Sequence, residues 1–346
     1  MAAAVLPPPP GPGGRRPPAP PPFAVDALYP PLFLALSAIV VRLAPFAVAA
    51  IALPPLAGVG AYLCVVRGAG VDARRLHETR LVSSAAFSLA ALAGACFLAW
   101  QAPLLPPAWA AAQVAIFGAY LVLHVFLSRS DPGTITSSPP TAPLHHAGVC
   151  STCRVLKSLR SKHCPACRAC VARFDHHCPV VGACVGEGNQ RAFTALLLVA
   201  AVGQPLYCAL AAALFRAAAP AGAEASAVFA HASAHSPGLL LLTLKMAPLA
   251  AGSVFLAGRA LALAAVNLTV NEFHNRHRYA YLLPTDGAST YDNRFDRGFA
   301  LNCAQFWGGE RDRDWSAELE ASLAARGGKL APAGDAELVP LAADRV

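Results

Sequence analysis

The amino-acid sequence predicts an all-α protein that crosses a membrane several times. Three features predict this class: few charges, apolar segments long enough to span a bilayer, and basic loops that alternate with uncharged ones. Of the 346 residues, 56% are hydrophobic and only 13% are charged, which is about half of the charged share of ordinary soluble domains. A surface in contact with water needs more charge, so we expect much of the surface to face lipid.

An α-helix needs roughly 20 apolar residues to cross the hydrocarbon core of a bilayer. Six apolar segments come near this length, and the first is the weakest because Pro30, Pro31 and Arg42 interrupt it. We expect transmembrane helices 1 to 4 within residues 28–127 and helices 5 and 6 within 192–268. The six segments are 28–44, 46–66, 82–100, 108–127, 192–215 and a stretch within 239–268.

The loops between these segments set the orientation of the chain. Segment 67–80 carries four arginines, segment 101–107 carries no charge, and segment 128–191 is long and basic. This alternation follows the positive-inside rule, so we expect 67–80, 128–191 and the C-terminal region on the cytosolic side. Arg259 lies inside the last apolar segment, where we expect its side chain to reach toward the cytosolic surface.

Four parts of the chain lie outside the predicted spans. Residues 1–27 form a proline-rich tail and residues 327–346 a C-terminal tail, and we expect both to be disordered. Residues 128–191 form a cytosolic Cys-rich domain between helices 4 and 5, and residues 269–326 form a cytosolic C-terminal region.

Seven of the eleven cysteines fall between Cys150 and Cys184, interspersed with histidines. Such clustering is typical of zinc sites in a reducing compartment, whereas a disulfide framework would spread its cysteines through a small secreted domain. A structural zinc takes four Cys or His ligands, so two zinc ions would leave one His and one Cys beside Asp175. The ten candidates are Cys150, Cys153, His163, Cys164, Cys167, Cys170, His176, His177, Cys178 and Cys184.

A spare Cys next to a His and an Asp predicts a nucleophilic site. The His can take the proton of the thiol, and the Asp can orient and polarise the His. The alternative is that all ten residues serve metal binding, as in a zinc finger or a RING-type ubiquitin ligase. A RING needs no spare Asp, His and Cys. A nucleic-acid-binding module would carry interleaved aromatic residues, so we expect no nucleic-acid partner.

The sequence Asp175-His176-His177-Cys178 resembles that of the DHHC protein S-acyltransferases, or palmitoyltransferases, and the Cys and His spacing is similar over 150–193. Three flanking motifs extend the resemblance. Among members of the family, the chain looks most similar to the catalytic part of the ankyrin-repeat subgroup, although it carries no ankyrin repeats. The flanking motifs are Asp131-Pro132-Gly133 (the DPG motif), Thr269-Val270-Asn271-Glu272 (the TTxE motif) and Asn293 to Asn302 (the C-terminal helix motif).

The resemblance implies a role for each of the ten candidates. It implies that Cys178 is the nucleophile, His176 the base and Asp175 the residue that orients the base. The other eight would bind two structural zinc ions. The first set is Cys150, Cys153, His163 and Cys170, and the second is Cys164, Cys167, His177 and Cys184.

The resemblance also implies a two-step enzyme that transfers a long-chain fatty acyl group, palmitoyl as the first expectation, from acyl-CoA to cysteines of membrane-associated proteins. It further implies a multi-pass protein of the Golgi or another endomembrane, with a cytosolic active site. Basic residues of the cluster are candidates for contacts with the CoA phosphates, or alternatively with anionic lipid headgroups. These residues are Arg154, Lys157, Arg160, Lys162, Arg168 and Arg173.

Several positions depart from the pattern of this family. Val180 stands where Trp is usual, and Gly182 and Ala183 stand where a pair of Asn is usual. Val270 replaces the second Thr of the TTxE motif, which by resemblance would hydrogen-bond near Asp175. These departures leave open the alternative of a weakly active or inactive adaptor with the same fold.

Overall fold

The computed structural model describes residues 81–138, 146–283, 291–308 and 314–325. The predicted spans 28–44 and 46–66, the loop 67–80 and the tails 1–27 and 327–346 lie outside these residues. The six-span topology is therefore described only from the third predicted span onward.

The four remaining predicted spans all form helices, with α1 over Leu81–Trp100, α2 over Pro107–Arg129, α3 over Gln190–Ala218 and α5 over Pro237–Ala265. Within the described residues, α2, α3 and α5 are long and apolar enough to cross a membrane. A shorter helix, α4, covers Ala225–His235 between α3 and α5. The fold is thus mostly helical, as predicted for the spans.

Helix α3 packs along α5 and α2, and α1 packs against α2. The aromatic rings of Phe97, Phe117 and Tyr207 meet between α1, α2 and α3, with centroids 6.0 to 6.4 Å apart. Gly203 brings α3 close to α2, because a Cβ at this position would overlap Ile116. Large apolar side chains remain exposed on the outer faces of these helices, including Val122 at 69% and Phe255 at 68%. Such surfaces suit contact with lipid.

The Cys-rich region lies in the chain between α2 and α3, and its described residues form seven short strands, which the prediction of an all-α chain did not include. They form three small antiparallel sheets, in the orders β1-β5-β4, β2-β3 and β6-β7. Strands of two to four residues are too short to leave a periodic pattern in the sequence. The strands are β1 (Thr134–Ile135), β2 (His146–Val149), β3 (Leu156–Ser158), β4 (Lys162–Cys164), β5 (Ala169–Val171), β6 (His176–Cys178) and β7 (Ala183–Val185).

The part of the C-terminal region that the structure describes forms three helices, with α6 over Val270–Asn275, α7 over Phe299–Gly308 and α8 over Trp315–Ala325. Two 3-10 turns follow α6, at Arg276–Arg278 and Ala280–Leu282. The apolar core of this region joins it to the Cys-rich region and to the end of α5. Its buried residues are Leu159, Leu263, Leu268, Tyr281, Leu282, Phe295, Trp315, Leu319 and Leu323.

Candidate active site

Three turns of the Cys-rich region begin at cysteines that are equally spaced along the chain: Cys150, Cys164 and Cys178. In the first two turns a second cysteine follows three residues later, and its backbone N–H donates to the sulfur of the first at 3.3 and 3.4 Å. In the third turn Val181 takes the place of the second cysteine. Cys178 therefore sits in a zinc-type turn that lacks one of its ligands.

The fourth residue after each of these cysteines adopts a left-handed backbone conformation. The φ angles are 59° at Arg154, 51° at Arg168 and 65° at Gly182. Glycine and asparagine adopt this conformation at the least cost. Gly182 therefore keeps the turn geometry at a position where the family usually has Asn.

Two groups of four residues bring three thiols and one imidazole together, and the ligand atoms of each group lie within 4.8 Å of one another. In the first group, Nδ1 of His163 lies 3.6 Å from Cys150 Sγ, 3.3 Å from Cys153 Sγ and 3.8 Å from Cys170 Sγ. These are the four residues of the first predicted set.

The second group has the same geometry around His177. Its Nδ1 lies 3.8 Å from Cys164 Sγ, 3.3 Å from Cys167 Sγ and 3.7 Å from Cys184 Sγ. Zn–S bonds of about 2.3 Å and Zn–N bonds of about 2.1 Å in a tetrahedron would separate S and N by about 3.6 Å. Both groups therefore fit a structural zinc ion with all four positions filled by protein.

Asp175, His176 and Cys178 lie together at the edge of the β6-β7 hairpin. Nδ1 of His176 donates to Asp175 Oδ2 at 2.6 Å, and Cys178 lies close enough to His176 for the two side chains to shift each other's pKa. Asp175 is 4% exposed and Cys178 is 7% exposed. The structure thus brings together the three residues for which the family resemblance implied a catalytic role.

The pKa values of this pair move toward proton transfer from the thiol to the imidazole. Burial lowers the pKa of His176, but its hydrogen bonds to Asp175 and Cys178 outweigh burial and raise the pKa to about 9. Burial raises the pKa of the Cys178 thiol. Hydrogen bonds from His176 and from the backbone of Val181 reverse this effect, and the net shift of the Cys178 pKa is downward.

Three groups donate hydrogen bonds to the carboxylate and backbone carbonyl of Asp175 in addition to His176. The side-chain amide of Gln190 and the backbone N–H of Val270 both donate to Oδ1 at 2.9 Å. The backbone N–H of Asn271 donates to the carbonyl oxygen of Asp175 at 3.1 Å. Val270 lacks the hydroxyl of the usual Thr, yet its backbone still contacts the Asp.

An apolar wall from the membrane-type helices surrounds Cys178. Leu127 and Tyr120 of α2 pack around it together with Leu196 of α3 and Val181. The ring of Phe193 stands edge-on to His176 with a centroid distance of 5.1 Å. The thiol therefore opens toward an environment that suits a hydrocarbon chain.

The flanking motifs act as structural supports for this region. The carboxylate of Asp131 accepts from the backbone N–H groups of Gly133 and Thr134 at 3.2 and 2.9 Å. Thr269 and Glu272 form a capping box at the start of α6. Asn302 donates to the carbonyl oxygen of Ala265 at 2.8 Å, which ties α7 to the end of α5.

Two of the six basic candidates for CoA contacts lie in the interior instead of at the surface. Arg160 is 3% exposed and its guanidinium pairs with Glu272, while Arg173 is 9% exposed and donates to Gln190 and Asn267. Neither guanidinium is placed to bind a phosphate in solvent. Arg154 and Arg168 are exposed, and Lys157 and Lys162 are half-buried, so these four remain candidates.

The sequence reasoning did not assign roles to Asn189 and Gln190 at the start of α3. The amide nitrogen of Asn189 donates to Ser130 Oγ at 3.1 Å and to the carbonyl oxygen of Cys184 at 3.0 Å, which joins α2 to a zinc-type ligand. The sequence signal for them is their position directly after the last cysteine turn, at the start of an apolar helix. Polar residues that are buried at such a position need hydrogen-bond partners, and this requirement predicts contacts with the Cys-rich region.

Residues 144–277 match the family model for DHHC palmitoyltransferase. No curated protein matches the chain.

Proposed function

Residues 144–277 form a DHHC palmitoyltransferase domain, and from this premise we propose that the protein is an S-acyltransferase that carries its acyl group on Cys178. The observation that supports this most directly is the series of Asp175, His176 and Cys178, in which Asp175 Oδ2 accepts from His176 at 2.6 Å and His176 lowers the pKa of the Cys178 thiol. A thiol in such a series is primed for covalent catalysis. A metal-binding or purely structural cysteine would have no use for it.

In the first step the sulfur of Cys178 attacks the thioester carbonyl of a fatty acyl-CoA. His176 takes the thiol proton, and Asp175 holds the imidazole in the required orientation and stabilises its charged form. The C–S bond to CoA breaks, His176 returns the proton to the CoA thiolate, and a thioester remains on Cys178.

In the second step a cysteine of a membrane-associated protein attacks this thioester. His176 takes the proton of the incoming thiol and returns it to Cys178 as the new thioester forms on the substrate. Each step exchanges one thioester for another, so no oxidant or reductant is needed. We expect ping-pong kinetics.

The bilayer is the proposed source of the hydrocarbon chain and the site of the acceptor proteins. Three apolar helices and the family indicate a membrane protein, and α2 and α3 supply the apolar wall beside Cys178. We propose a long-chain donor, with palmitoyl-CoA as the first candidate. Basic loops favour a cytosolic position for residues 128–191 and 269–326, and by resemblance to the family we propose a location in the Golgi or another endomembrane.

Two zinc ions are the proposed resident cofactors, one in each Cys3His group. Each group fills a tetrahedron with protein atoms, so zinc would stabilise the fold and leave no position open for a catalytic water. The three β-hairpins have only small apolar clusters of their own, so bound zinc would add support to their fold. Asp175, His176 and Cys178 would carry out the chemistry without contacting either ion.

Val180 favours the second candidate function, a weakly active adaptor of the same fold. Its side chain is 40% exposed beside the nucleophile, where the family usually has a larger Trp. Loss of this ring leaves less apolar surface to guide an acyl chain toward Cys178. An adaptor would still bind zinc and membrane but would form little acyl-enzyme.

One experiment decides between an enzyme and an adaptor. The full-length protein in detergent is incubated with an alkynyl palmitoyl-CoA analogue, and hydroxylamine-sensitive label is measured together with the mass of the adduct on Cys178. An enzyme forms this adduct, and Cys178→Ser abolishes it while zinc content stays near two per chain. Loss of zinc in Cys178→Ser would show that Cys178 is a ligand, and an unlabelled native protein would support the adaptor.

A further inference from the structure

Gln190, the first residue of α3, lies between two buried side chains of the Cys-rich region. Its Nε2 donates to Asp175 Oδ1 at 2.9 Å, and its Oε1 accepts from Arg173 Nη1 at 2.6 Å. We propose that Gln190 is a positioning residue that holds the Asp175 carboxylate toward His176. This inference rests on the proposed function, since it concerns the same Asp, His and Cys.

The orientation of the Gln190 amide follows from its two neighbours. Arg173 has only donors and the Asp175 carboxylate has only acceptors. The amide oxygen must therefore face the guanidinium and the amide nitrogen must face the carboxylate. A flipped amide would place its NH2 group against the donors of Arg173 and its oxygen against the acceptors of Asp175. Only one orientation of the amide is therefore stable.

Arg173 provides a fixed anchor for this contact. Its guanidinium is buried, its Nη2 donates to Asn267 Oδ1 at 2.9 Å, and it stacks on the ring of Trp315 at 5.5 Å. Asn267 Nδ2 donates to the carbonyl oxygen of Phe295 at 3.0 Å, which links the anchor to the C-terminal region. Because Arg173 is held by these contacts, it can fix the orientation of the Gln190 amide that hydrogen-bonds to it.

Asp175 needs these donors because its carboxylate is buried. One oxygen contacts His176, and the other accepts from Gln190 and from the backbone of Val270. Gln190 is the only side chain among the described residues for which a hydrogen bond to Oδ1 is found. Val270 contributes no hydroxyl, so Gln190 supplies the side-chain donor that Oδ1 would otherwise lack. Without it, the carboxylate can rotate away from the His176 ring.

Two substitutions separate positioning from packing. Gln190→Ala removes both contacts. Gln190→Glu keeps the size of the side chain and an acceptor for Arg173, but it removes the donor and places a second carboxylate beside Asp175. If Gln190 only stabilises the fold, Gln190→Glu retains activity because the contact with Arg173 remains. If Gln190 positions Asp175, both variants lose activity.

The measurement is the rate of acyl-enzyme formation on Cys178 by the full chain in detergent, as a function of palmitoyl-CoA concentration. We expect the maximal rate to fall by about 10- to 100-fold in both variants, which is the range typical of residues that hold a functional side chain in position. The half-saturating concentration of palmitoyl-CoA should change by less than about twofold, and zinc content should stay near two per chain.

Gln305→Ala is the matched control. Gln305 lines the same small cavity as Gln190, and among the described residues its Oε1 has no hydrogen-bond partner. Its removal shortens a Gln at this cavity without touching Asp175. We expect this variant to acylate at the rate of the native protein.

A rescue variant tests directly whether Asp175 Oδ1 needs a side-chain donor. Val270→Thr places a hydroxyl on the residue whose backbone already lies 2.9 Å from Asp175 Oδ1. We expect this change to raise the maximal rate several-fold more in the Gln190→Ala background than in the native background, because only the former lacks a side-chain donor to Asp175 Oδ1.

The inference is overturned if Gln190→Glu acylates at the native rate, or if Gln190→Ala raises the half-saturating concentration and leaves the maximal rate intact. In either case the native acyl-enzyme still forms, and the proposed function stands. If the native protein forms no acyl-enzyme on Cys178, the proposed function and this inference fail together.

Discussion

The guanidinium of Arg160 and the carboxylate of Glu272 form a bidentate ion pair with two nitrogen–oxygen distances of 2.7 Å. Both side chains are buried, at 0% and 1% exposure. The rings of Phe295 and Trp315 enclose the guanidinium at 4.4 and 4.3 Å. Glu272 Oε2 also accepts from the backbone N–H of Thr269 at 2.9 Å, so one carboxylate joins the Cys-rich region to the N-terminus of α6.

Glu272→Gln should destabilise the protein by about 3 kcal/mol, because it leaves the Arg160 charge buried without its anion. Gln can still accept from Thr269 in the capping box, so the loss reports on the ion pair. Thermal unfolding in detergent, followed by intrinsic fluorescence, measures the change. Glu320→Gln on the exposed side of α8 is the control and should unfold like the native protein. An equal stability of both variants would contradict this role for the pair.

The difference in the free energy of unfolding between the native protein and Glu272→Gln, here called the stability gap, should depend on pH. Burial raises the pKa of Glu272, but the charge of Arg160 and its hydrogen bonds outweigh burial and hold the pKa below the ordinary value of 4.5. A lowered folded-state pKa contributes stability above the unfolded-state pKa, and this stability is lost as pH falls through the folded-state value. We expect a constant gap from pH 7 to about 5 and a narrower gap below 4.5. A gap that narrows already between pH 7 and 6 would contradict this assignment.

Much of the site followed from sequence because its ligands are local. Each Cys3His group draws its residues from one short stretch, and the Cys-x-x-Cys spacing alone predicts a metal turn. Two tetrahedral sites leave one His and one Cys beside Asp175, and the resemblance to the DHHC family then implied that these are His176 and Cys178. The apolar helices were predictable for a similar reason, since a span is recognised from its own composition.

The buried positions of Arg160 and Arg173 could not be predicted from the local sequence, because their partners are distant in the chain. Arg160 pairs with Glu272, and Arg173 reaches Asn267. A basic residue in a basic loop reads as a surface charge, and only the folded C-terminal region shows that an acid and aromatic rings cover it. Gln190 was missed for the same reason, since its role depends on Arg173 and Asp175 lying on either side.

Zinc removal should affect the site through His177. Cys167→Ser deletes a ligand of the second group, whose His177 stands between His176 and Cys178 in β6. We expect zinc content to fall to about one per chain and the acyl-enzyme to be lost. A strong chelator should remove both ions and unfold the Cys-rich region, which amide hydrogen exchange would detect. Cys303→Ser, outside both groups, should keep both zinc ions, and retention of two ions by Cys167→Ser would refute the ligand set.

Close backbone contacts predict a contrast between two glycines. A Cβ on Gly186 would overlap the carbonyl oxygen of Pro132 and the side chain of Val171, and neither backbone nor a β-branched residue of a sheet can move aside cheaply. Gly186→Ala should therefore push the DPG loop away from β5 and β7 and lower both thermal stability and the rate of acylation on Cys178.

The control substitution is Gly258→Ala in α5. A Cβ at Gly258 meets nothing within 4 Å among the described residues, and Ala favours a helix over Gly by about 1 kcal/mol. It should be neutral or stabilising. Equal effects of the two substitutions would show that the approach of Pro132 to Gly186 is not needed for the fold.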